Sequence, residues 1–192
     1  MEAPGAIHHV VAKGHAGDAI VRDDTDRGTF LERLEKAVRR YHWSCLAYCL
    51  LDTHFHLIVE TPEPNLGLGM KWLQSAYAQD FNYRHGRQGH LFAGRFYSAL
   101  FRRDAHLLSA IVYVFVNPVR AGVVDLAEQW PWSSYAATVA LCGPTELVSV
   151  TSVLELVDSR PDVARRLLRA VVDEAGRRDP RVSQSRGQTR GV

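Results

Sequence analysis

The 192-residue chain has little cysteine, little lysine and no long apolar run. Its three cysteines, Cys45, Cys49 and Cys142, cannot all pair with one another, and they lack the close grouping of zinc ligands. No apolar run approaches the length that spans a membrane, and no basic segment followed by an apolar stretch marks a secretory signal. These absences predict a cytoplasmic protein without a membrane partner, in which Cys45 and Cys49 are small core residues.

Positive charge is concentrated in two parts of the chain. From residue 160 onward nine arginines face four acids, and between residues 71 and 103 six cations face Asp80 alone. Aromatic residues are interleaved with the six cations, a mixture that suits single-stranded nucleic acid because phosphates attract the cations and bases stack on the rings. The alternative is a solvated helix face whose aromatic residues belong to the core. The predicted DNA-binding residues are Lys71, Arg84, Arg87, Arg95, Arg102, Arg103 and Arg120.

Two histidines flank a phenylalanine at His54-Phe55-His56, and Tyr113 and Asn117 follow four residues apart. Residues two apart in a strand share a face, so both imidazoles are expected to point the same way. Residues four apart share a helix face. Two imidazoles and an amide oxygen can hold one divalent cation, and a tyrosine hydroxyl beside that cation is a candidate nucleophile. Each of these patterns taken alone is more often structural.

The sequence around these residues carries a longer pattern. Six segments occur in a fixed order: residues 48–62, 70–73, 81–86, 89–96, 113–124 and 132–135. Together they resemble the REP-associated tyrosine transposases, a branch of the HUH single-strand endonuclease superfamily. The similarity runs collinearly from about residue 7 to residue 137, which makes it far more specific than the histidine pair alone.

The resemblance implies an activity and a role for each site residue. It implies that His54 and His56 bind Mg²⁺ or Mn²⁺, that Asn117 completes the protein ligands, and that Tyr113 forms a 5′-phosphotyrosine link. The implied reaction is cleavage and rejoining of single-stranded DNA near hairpins formed by palindromic repeats. Glu60 has the same strand parity as the two histidines and is a second candidate ligand.

Two departures from the family pattern bear on this interpretation. Thr53 stands where family members commonly carry asparagine or a similar polar residue, and the turn at residues 14–18 is poorer in arginine and asparagine than usual. If that turn reads DNA, the target preference differs from that of the family. The catalytic residues themselves are all present.

Three other functions remain open at this stage. A replication initiator or plasmid relaxase shares the same chemistry, a domesticated protein binds hairpins without cutting them, and a metal-dependent RNA nuclease differs only in the sugar. The sequence also leaves open whether the chain is a monomer or a homodimer. A DNA-acting enzyme of this kind is expected to associate with the nucleoid.

Periodicity predicts strands at residues 7–13, 43–51, 54–60 and 95–101, with a short returning strand at 19–21. Helices are predicted to begin at caps formed by Asp24 or Thr25, by Asn65 and by Asp104. Pro118 is expected to place Asn117 at the end of the third helix. The alternation of strands and helices in two β-α-β units favours a four- or five-stranded antiparallel sheet with helices packed against it. The resemblance implies the same α+β, ferredoxin-like core.

The sequence divides into three parts. Residues 1–140 are predicted to form the transposase-like catalytic domain, residues 141–175 a helical extension, and residues 176–192 a disordered basic tail. The remaining histidines of interest are interpreted as ordinary surface or loop residues: His9, His15, His85, His90 and His106.

Overall fold

A computed structural model describes residues 3–102, 105–143 and 145–177 of the chain. Within these residues, two 3-10 turns lie at His15–Gly17 and Ala127–Gln129. The strands and α-helices follow in this order: β1 (Ala6–Lys13), α1 (Asp24–Arg40), β2 (Ser44–Leu50), β3 (His54–Thr61), α2 (Leu66–Arg84), β4 (Tyr97–Phe101), α3 (Ala105–Arg120), α4 (Tyr135–Thr138), α5 (Val150–Glu155) and α6 (Pro161–Arg177).

The four strands form one antiparallel sheet in the order β2-β3-β1-β4. In the pairing of β1 with β3, Lys13 lies opposite His54 and Ile7 lies opposite Glu60. β4 pairs with the other edge of β1, where Phe101 lies opposite Ile7. The predicted α+β class, with helices packed on an antiparallel sheet, is confirmed.

Alternation along β3 divides the core into two layers. Phe55, Leu57 and Val59 are buried on one face of the sheet, in a cluster with α1 and α2. Ile58 is buried on the other face, with residues of α3 and α6. Gly69 allows α2 to approach the sheet closely, because a Cβ there would lie 2.1 Å from a ring atom of Trp43. The histidines of β3 therefore belong to the layer that α3 covers.

The predicted strand at residues 19–21 is wrong. The N–H groups of Ile20 and Val21 both donate to the carbonyl of Asp52, at 2.7 and 3.2 Å, so this segment forms no strand ladder. Both side chains are buried in the layer beneath α1 and α2. The apolar composition therefore reflects burial of an irregular connection and not a strand.

One predicted helix cap is wrong, and a second is correct in position only. Asp23, not Asp24 or Thr25, caps α1, since its carboxylate accepts the N–H of Asp26 at 3.1 Å. Asn65 does precede α2 but makes no side-chain cap. Its amide instead accepts the Trp43 indole N–H at 2.7 Å and donates to the Tyr41 carbonyl at 3.1 Å. The predicted cap Asp104 lies outside the described residues.

Helix α3 does not end at Asn117. It continues through Pro118 to Arg120, and the N–H of Ala121 donates to the Asn117 carbonyl at 2.8 Å. A proline there removes the bond that its own nitrogen would donate and crowds the carbonyl four residues earlier, but the residues after it can still donate to the preceding turn. The last turn therefore stays helical and keeps Asn117 on the same face as Tyr113.

The C-terminal helices pack against α3. Leu168 and Val172 of α6 are each 1% exposed and belong to the cluster that α3 forms with the sheet. None of the helices in the described ranges combines the length and apolarity that a membrane crossing requires. Residues 178–192 of the predicted tail lie outside the described residues.

Candidate active site

Strand β3 places His54 and His56 side by side. Both point to the face that α3 covers, and their ring centres lie 5.1 Å apart. His56 is buried, at 5% exposed, whereas His54 is half-buried at the start of the strand. Thr53 contacts the Nδ1 of His54 at 3.0 Å through its hydroxyl. The two imidazoles therefore share one face, as their spacing predicts.

Helix α3 brings the other two predicted residues to the histidines. The Asn117 side chain is buried, and it lies close enough to His54 to raise the pKa of that imidazole. The Tyr113 ring stands edge-on to His56 with ring centres 5.6 Å apart, and it is 39% exposed. The structure thus assembles all four residues, His54, His56, Tyr113 and Asn117, from two distant segments.

A fifth residue at this site, His9, was interpreted wrongly as an ordinary surface histidine. Its Nε2 lies 3.1 Å from the Nδ1 of His56, and its ring centre is 6.0 Å from that of Tyr113. His9 lies on β1 with Ile58 as its partner, so it shares the face of His56. Strand parity predicts that His9 and His56 share a face only if the pairing register of β1 with β3 is known.

Burial keeps the site histidines neutral. It is the main cause that lowers the pKa of His56 to about 3, with His54, His9 and Lys13 as further causes. Burial also lowers the pKa of His9. The pKa of His54 is lowered by burial and by Lys13, and the nearby Asn117 amide partly opposes this shift. At neutral pH each ring therefore has a nitrogen lone pair.

The donor set fits a divalent cation that accepts nitrogen and oxygen ligands. Two neutral imidazoles and the amide of Asn117 converge, and such ligands suit first-row divalent ions. Within the described ranges, no group of three His, Cys, Asp or Glu side chains is arranged to hold a metal. Glu60 lies six residues beyond His54, about 20 Å along the strand, which is too far to share an ion with His54.

Two of the predicted DNA-binding residues line one groove. Lys71 on α2 and Arg95 on the following loop face a groove of about 850 Å³, together with Gln74 and Phe96. The same loop is bonded to the end of β1, where the Ala93 N–H donates to the Lys13 carbonyl at 2.9 Å. Since Lys13 lies opposite His54, this loop connects the groove to the histidine end of the sheet.

Two other predicted DNA-binding residues are held in ion pairs. Arg84 pairs with Asp23 at 2.7 Å and with the buried Asp26. Arg87 pairs with Asp18 at 3.2 Å. His85, interpreted as an ordinary surface or loop histidine, follows α2 and takes part in the same cluster, because its Nε2 lies 2.9 Å from the Asp26 carboxylate. This cluster joins the end of α2 to the start of α1.

The last three predicted DNA-binding residues are scattered. The Arg120 guanidinium lies over the Tyr113 ring, 5.1 Å from its centre. Arg102 is exposed just beyond β4, beside Ile7 and about 20 Å along β1 from Lys13. Arg103 lies outside the described residues. The contact of Arg120 with the Tyr113 ring was not among the predictions made from the sequence.

Comparison with known proteins gives sequence and structural relatives. No protein-family model matches the chain. The chain is 26% identical over 117 residues to a protein assigned as a REP-associated tyrosine transposase in Haemophilus influenzae, covering 55% of this chain and 66% of that protein. It is 26% identical over 94 residues to a REP-associated tyrosine transposase of Escherichia coli K12, covering 49% of this chain and 55% of that protein.

The matched part is therefore slightly under two-thirds of the first relative and just over half of the second. A solved REP-associated tyrosine transposase bound to a REP hairpin superposes with a TM-score of 0.63 at 19% identity. That superposition covers 73% of this chain and 82% of the other, and it shows a shared fold.

Proposed function

Because the chain is homologous in sequence to REP-associated tyrosine transposases and shares their fold, we propose that it cuts and rejoins single-stranded DNA. In this proposal residues 1–140 carry the activity and Tyr113 is the nucleophile. The DNA is a single strand that folds into a hairpin of palindromic repeats. The position of Tyr113, with its ring 5.6 Å from that of His56, is the observation that supports this most directly.

The metal in this proposal is Mg²⁺ or Mn²⁺, and His54, His56 and Asn117 would hold it. When bound, such an ion polarises the scissile phosphate as a Lewis acid and aligns it for attack. The protein contributes neutral imidazoles, which burial maintains at the pH of the cell.

Tyr113 attacks phosphorus through its hydroxyl oxygen. The phenol loses its proton as the new oxygen–phosphorus bond forms and the bond to the 3′ oxygen breaks, and that oxygen takes up a proton and leaves as a hydroxyl. The 5′ phosphate stays on Tyr113. The nearby Arg120 guanidinium stabilises negative charge that develops on the phenol oxygen. A 3′ hydroxyl that attacks the phosphotyrosine restores the phosphodiester and the phenol, which joins two strands.

The groove beside α2 is the proposed path of the unpaired strand. Lys71 and Arg95 offer cations to phosphates, and Phe96 offers a ring for stacking. Arg102 and Arg120 remain proposed phosphate contacts outside this groove. Arg84 and Arg87 are predicted to contribute less, because their guanidinium groups are already paired with carboxylates.

The proposal is tested with a hairpin-bearing single strand labelled at its 3′ end. With Mn²⁺ or Mg²⁺, the wild type is expected to form a labelled adduct that survives denaturation. His54→Ala and His56→Ala are expected to abolish the adduct while hairpin affinity stays within about threefold. His42→Asn, which changes an exposed histidine in the turn after α1, is the matched control and should remain active.

Each other outcome contradicts the proposal in a different way. Full cleavage in excess chelator removes the metal role. Tight hairpin binding without any cleavage identifies a non-catalytic binding protein. Equal cleavage of an RNA strand of the same sequence identifies a nuclease that ignores the sugar, and equal cleavage of a fully paired duplex excludes the single-strand preference.

A further inference from the structure

The contact between His9 and His56 joins β1 to β3, the strand that carries both proposed histidine ligands. The His9 Nε2 and the His56 Nδ1 lie 3.1 Å apart, within hydrogen-bond distance. The two rings are stacked, with centres 5.3 Å apart and planes inclined by 30°. Phe101 and Tyr113 stand on other sides of the His9 ring, at 6.4 and 6.0 Å between centres. Rings therefore surround a half-buried His9 and hold it in this orientation.

A hydrogen bond between two neutral imidazoles has only two arrangements. Each neutral ring carries one N–H and one lone pair. If His9 donates, the proton of His56 resides on its Nε2 and that ring has no lone pair left for an ion. If His56 donates from Nδ1, its Nε2 lone pair is available. Only the second arrangement is compatible with His56 as a metal ligand.

We propose that His9 accepts the Nδ1–H of His56 and thereby fixes the tautomer in which Nε2 of His56 is available to the ion. This inference rests on the proposed function, in which His56 is a ligand. It makes His9 a positioning residue that acts through His56. In metal sites the second ring nitrogen of a ligating histidine usually donates to a carboxylate, a backbone carbonyl or water. Here a neutral imidazole takes that place.

A direct ligand role for His9 fits the structure less well. The described residues contain no three-member group of His, Cys, Asp or Glu side chains arranged to hold a metal, although His9, His54 and His56 lie on one sheet face. The His9 nitrogen approaches the Nδ1 of His56. A positioning role for His9 agrees with the observed distance between its Nε2 and the Nδ1 of His56.

Two substitutions of His9 separate its hydrogen bond from its packing. His9→Gln keeps an acceptor, since the amide oxygen reaches the position of Nε2. His9→Phe keeps a ring but removes the acceptor. His15→Gln changes an exposed histidine and serves as the matched control. All variants are first checked for a native circular dichroism spectrum.

The first measurement is the ring ¹⁵N spectrum of His56 in the metal-free protein without DNA. We expect Nδ1–H in the wild type, in His9→Gln and in the control, and a mixed or Nε2–H tautomer in His9→Phe. The second measurement is Mn²⁺ binding by calorimetry. We expect His9→Phe to bind about 10- to 100-fold more weakly, as loss of such a partner usually does, and His9→Gln to remain within about threefold.

The proposal is overturned if His9→Phe leaves both the tautomer and Mn²⁺ affinity unchanged, or if His9→Gln is as defective as His9→Phe. Electron spin-echo spectra that show Mn²⁺ coupled to a ¹⁵N of His9 also overturn it, because His9 is then a ligand. If His9→Phe does not fold, the wild-type tautomer and the His9→Gln affinity decide. None of these measurements requires cleavage, so their failure is distinct from failure of the proposed activity.

Discussion

Among single residues, His56 shows how burial determines the protonation state of a proposed metal ligand. The folded protein lowers its pKa from 6.5 to about 3, chiefly because the ring is removed from water. Between these values the unfolded chain binds more protons than the folded chain, so the free energy of unfolding rises with pH in this window. The destabilising contribution of His56 is absent above about pH 6.5 and grows as the pH falls towards 3.

Replacing His56 by glutamine is therefore expected to flatten the pH dependence of stability between pH 3 and 6.5 in the metal-free protein. The measurement is urea unfolding at a series of pH values. His15→Gln, at an exposed position, should leave the slope unchanged. An unchanged slope in His56→Gln would mean that the ring is protonated in the folded protein and is not the neutral ligand described above.

The residues of the candidate site also show which contacts can be predicted from the sequence. The parity of His54 and His56 follows from strand geometry alone, so their common face was predictable. The contact of His9 with His56 was not, because it depends on how two strands 47 residues apart are paired. The ion pair of Arg84 with Asp23 was hidden for the same reason, since these residues are 61 positions apart.

At the scale of elements, the groove between α2 and the loop before β4 is the feature with the clearest consequence. The double substitution Lys71→Ala with Arg95→Ala removes two cations from it. Each phosphate contact with a single strand contributes about 0.7 to the slope of log affinity against log salt, so the magnitude of the slope should fall by about 1.4.

The binding of a fluorescent hairpin with a single-stranded flank, titrated at several salt concentrations, measures this slope. Arg166→Ala removes an exposed cation from α6 and is the control, which should leave the slope within error. An unchanged slope in the double variant would remove the groove from the DNA path. An equal decrease of the slope in the control would indicate only non-specific attraction between the protein and DNA.

The ends of elements were harder to predict than their existence. Strand alternation and helical periodicity located β1, β3 and α2 to within a few residues. Residues 19–21 have strand composition but bond to one carbonyl of a turn, a tertiary contact with no local signal. Pro118 has the local signal of a helix end, yet packing of the final turn of α3 keeps that turn helical.

At the scale of the whole molecule, the C-terminal helix α6 shares the core that supports the site. Leu168 is 1% exposed in the α3 layer, whereas its neighbour Leu167 is 47% exposed. Leu168→Ala is expected to lower the free energy of unfolding by about 3 kcal/mol, the usual cost of a buried leucine. Leu167→Ala is expected to change it by less than about 0.5 kcal/mol.

Chemical denaturation followed by circular dichroism and by tryptophan fluorescence measures both variants. Coincident transitions are expected, because α6 and the sheet bury one continuous layer. Two separate transitions, or a Leu168→Ala variant as stable as the wild type, would mean that α6 folds independently of the catalytic core.

The central claim is that Tyr113 is the nucleophile, and rival tyrosines make it testable. Tyr97 is 67% exposed on β4 and shares the sheet face of His56, about 10 Å away across two strand spacings. Tyr83 is 92% exposed on α2. Tyr113→Phe removes only a hydroxyl, so folding and hairpin affinity should persist while cleavage falls by at least about 10³-fold, as for loss of a nucleophile.

The most direct measurement is mass spectrometry of the peptide trapped on a cleaved single strand. The proposal predicts a nucleotide linked through a 5′ phosphate to Tyr113, with the same adduct in Tyr97→Phe and Tyr83→Phe and none in Tyr113→Phe. A phosphorylated nucleotide mapped to any other residue, or an adduct that persists in Tyr113→Phe, would contradict it.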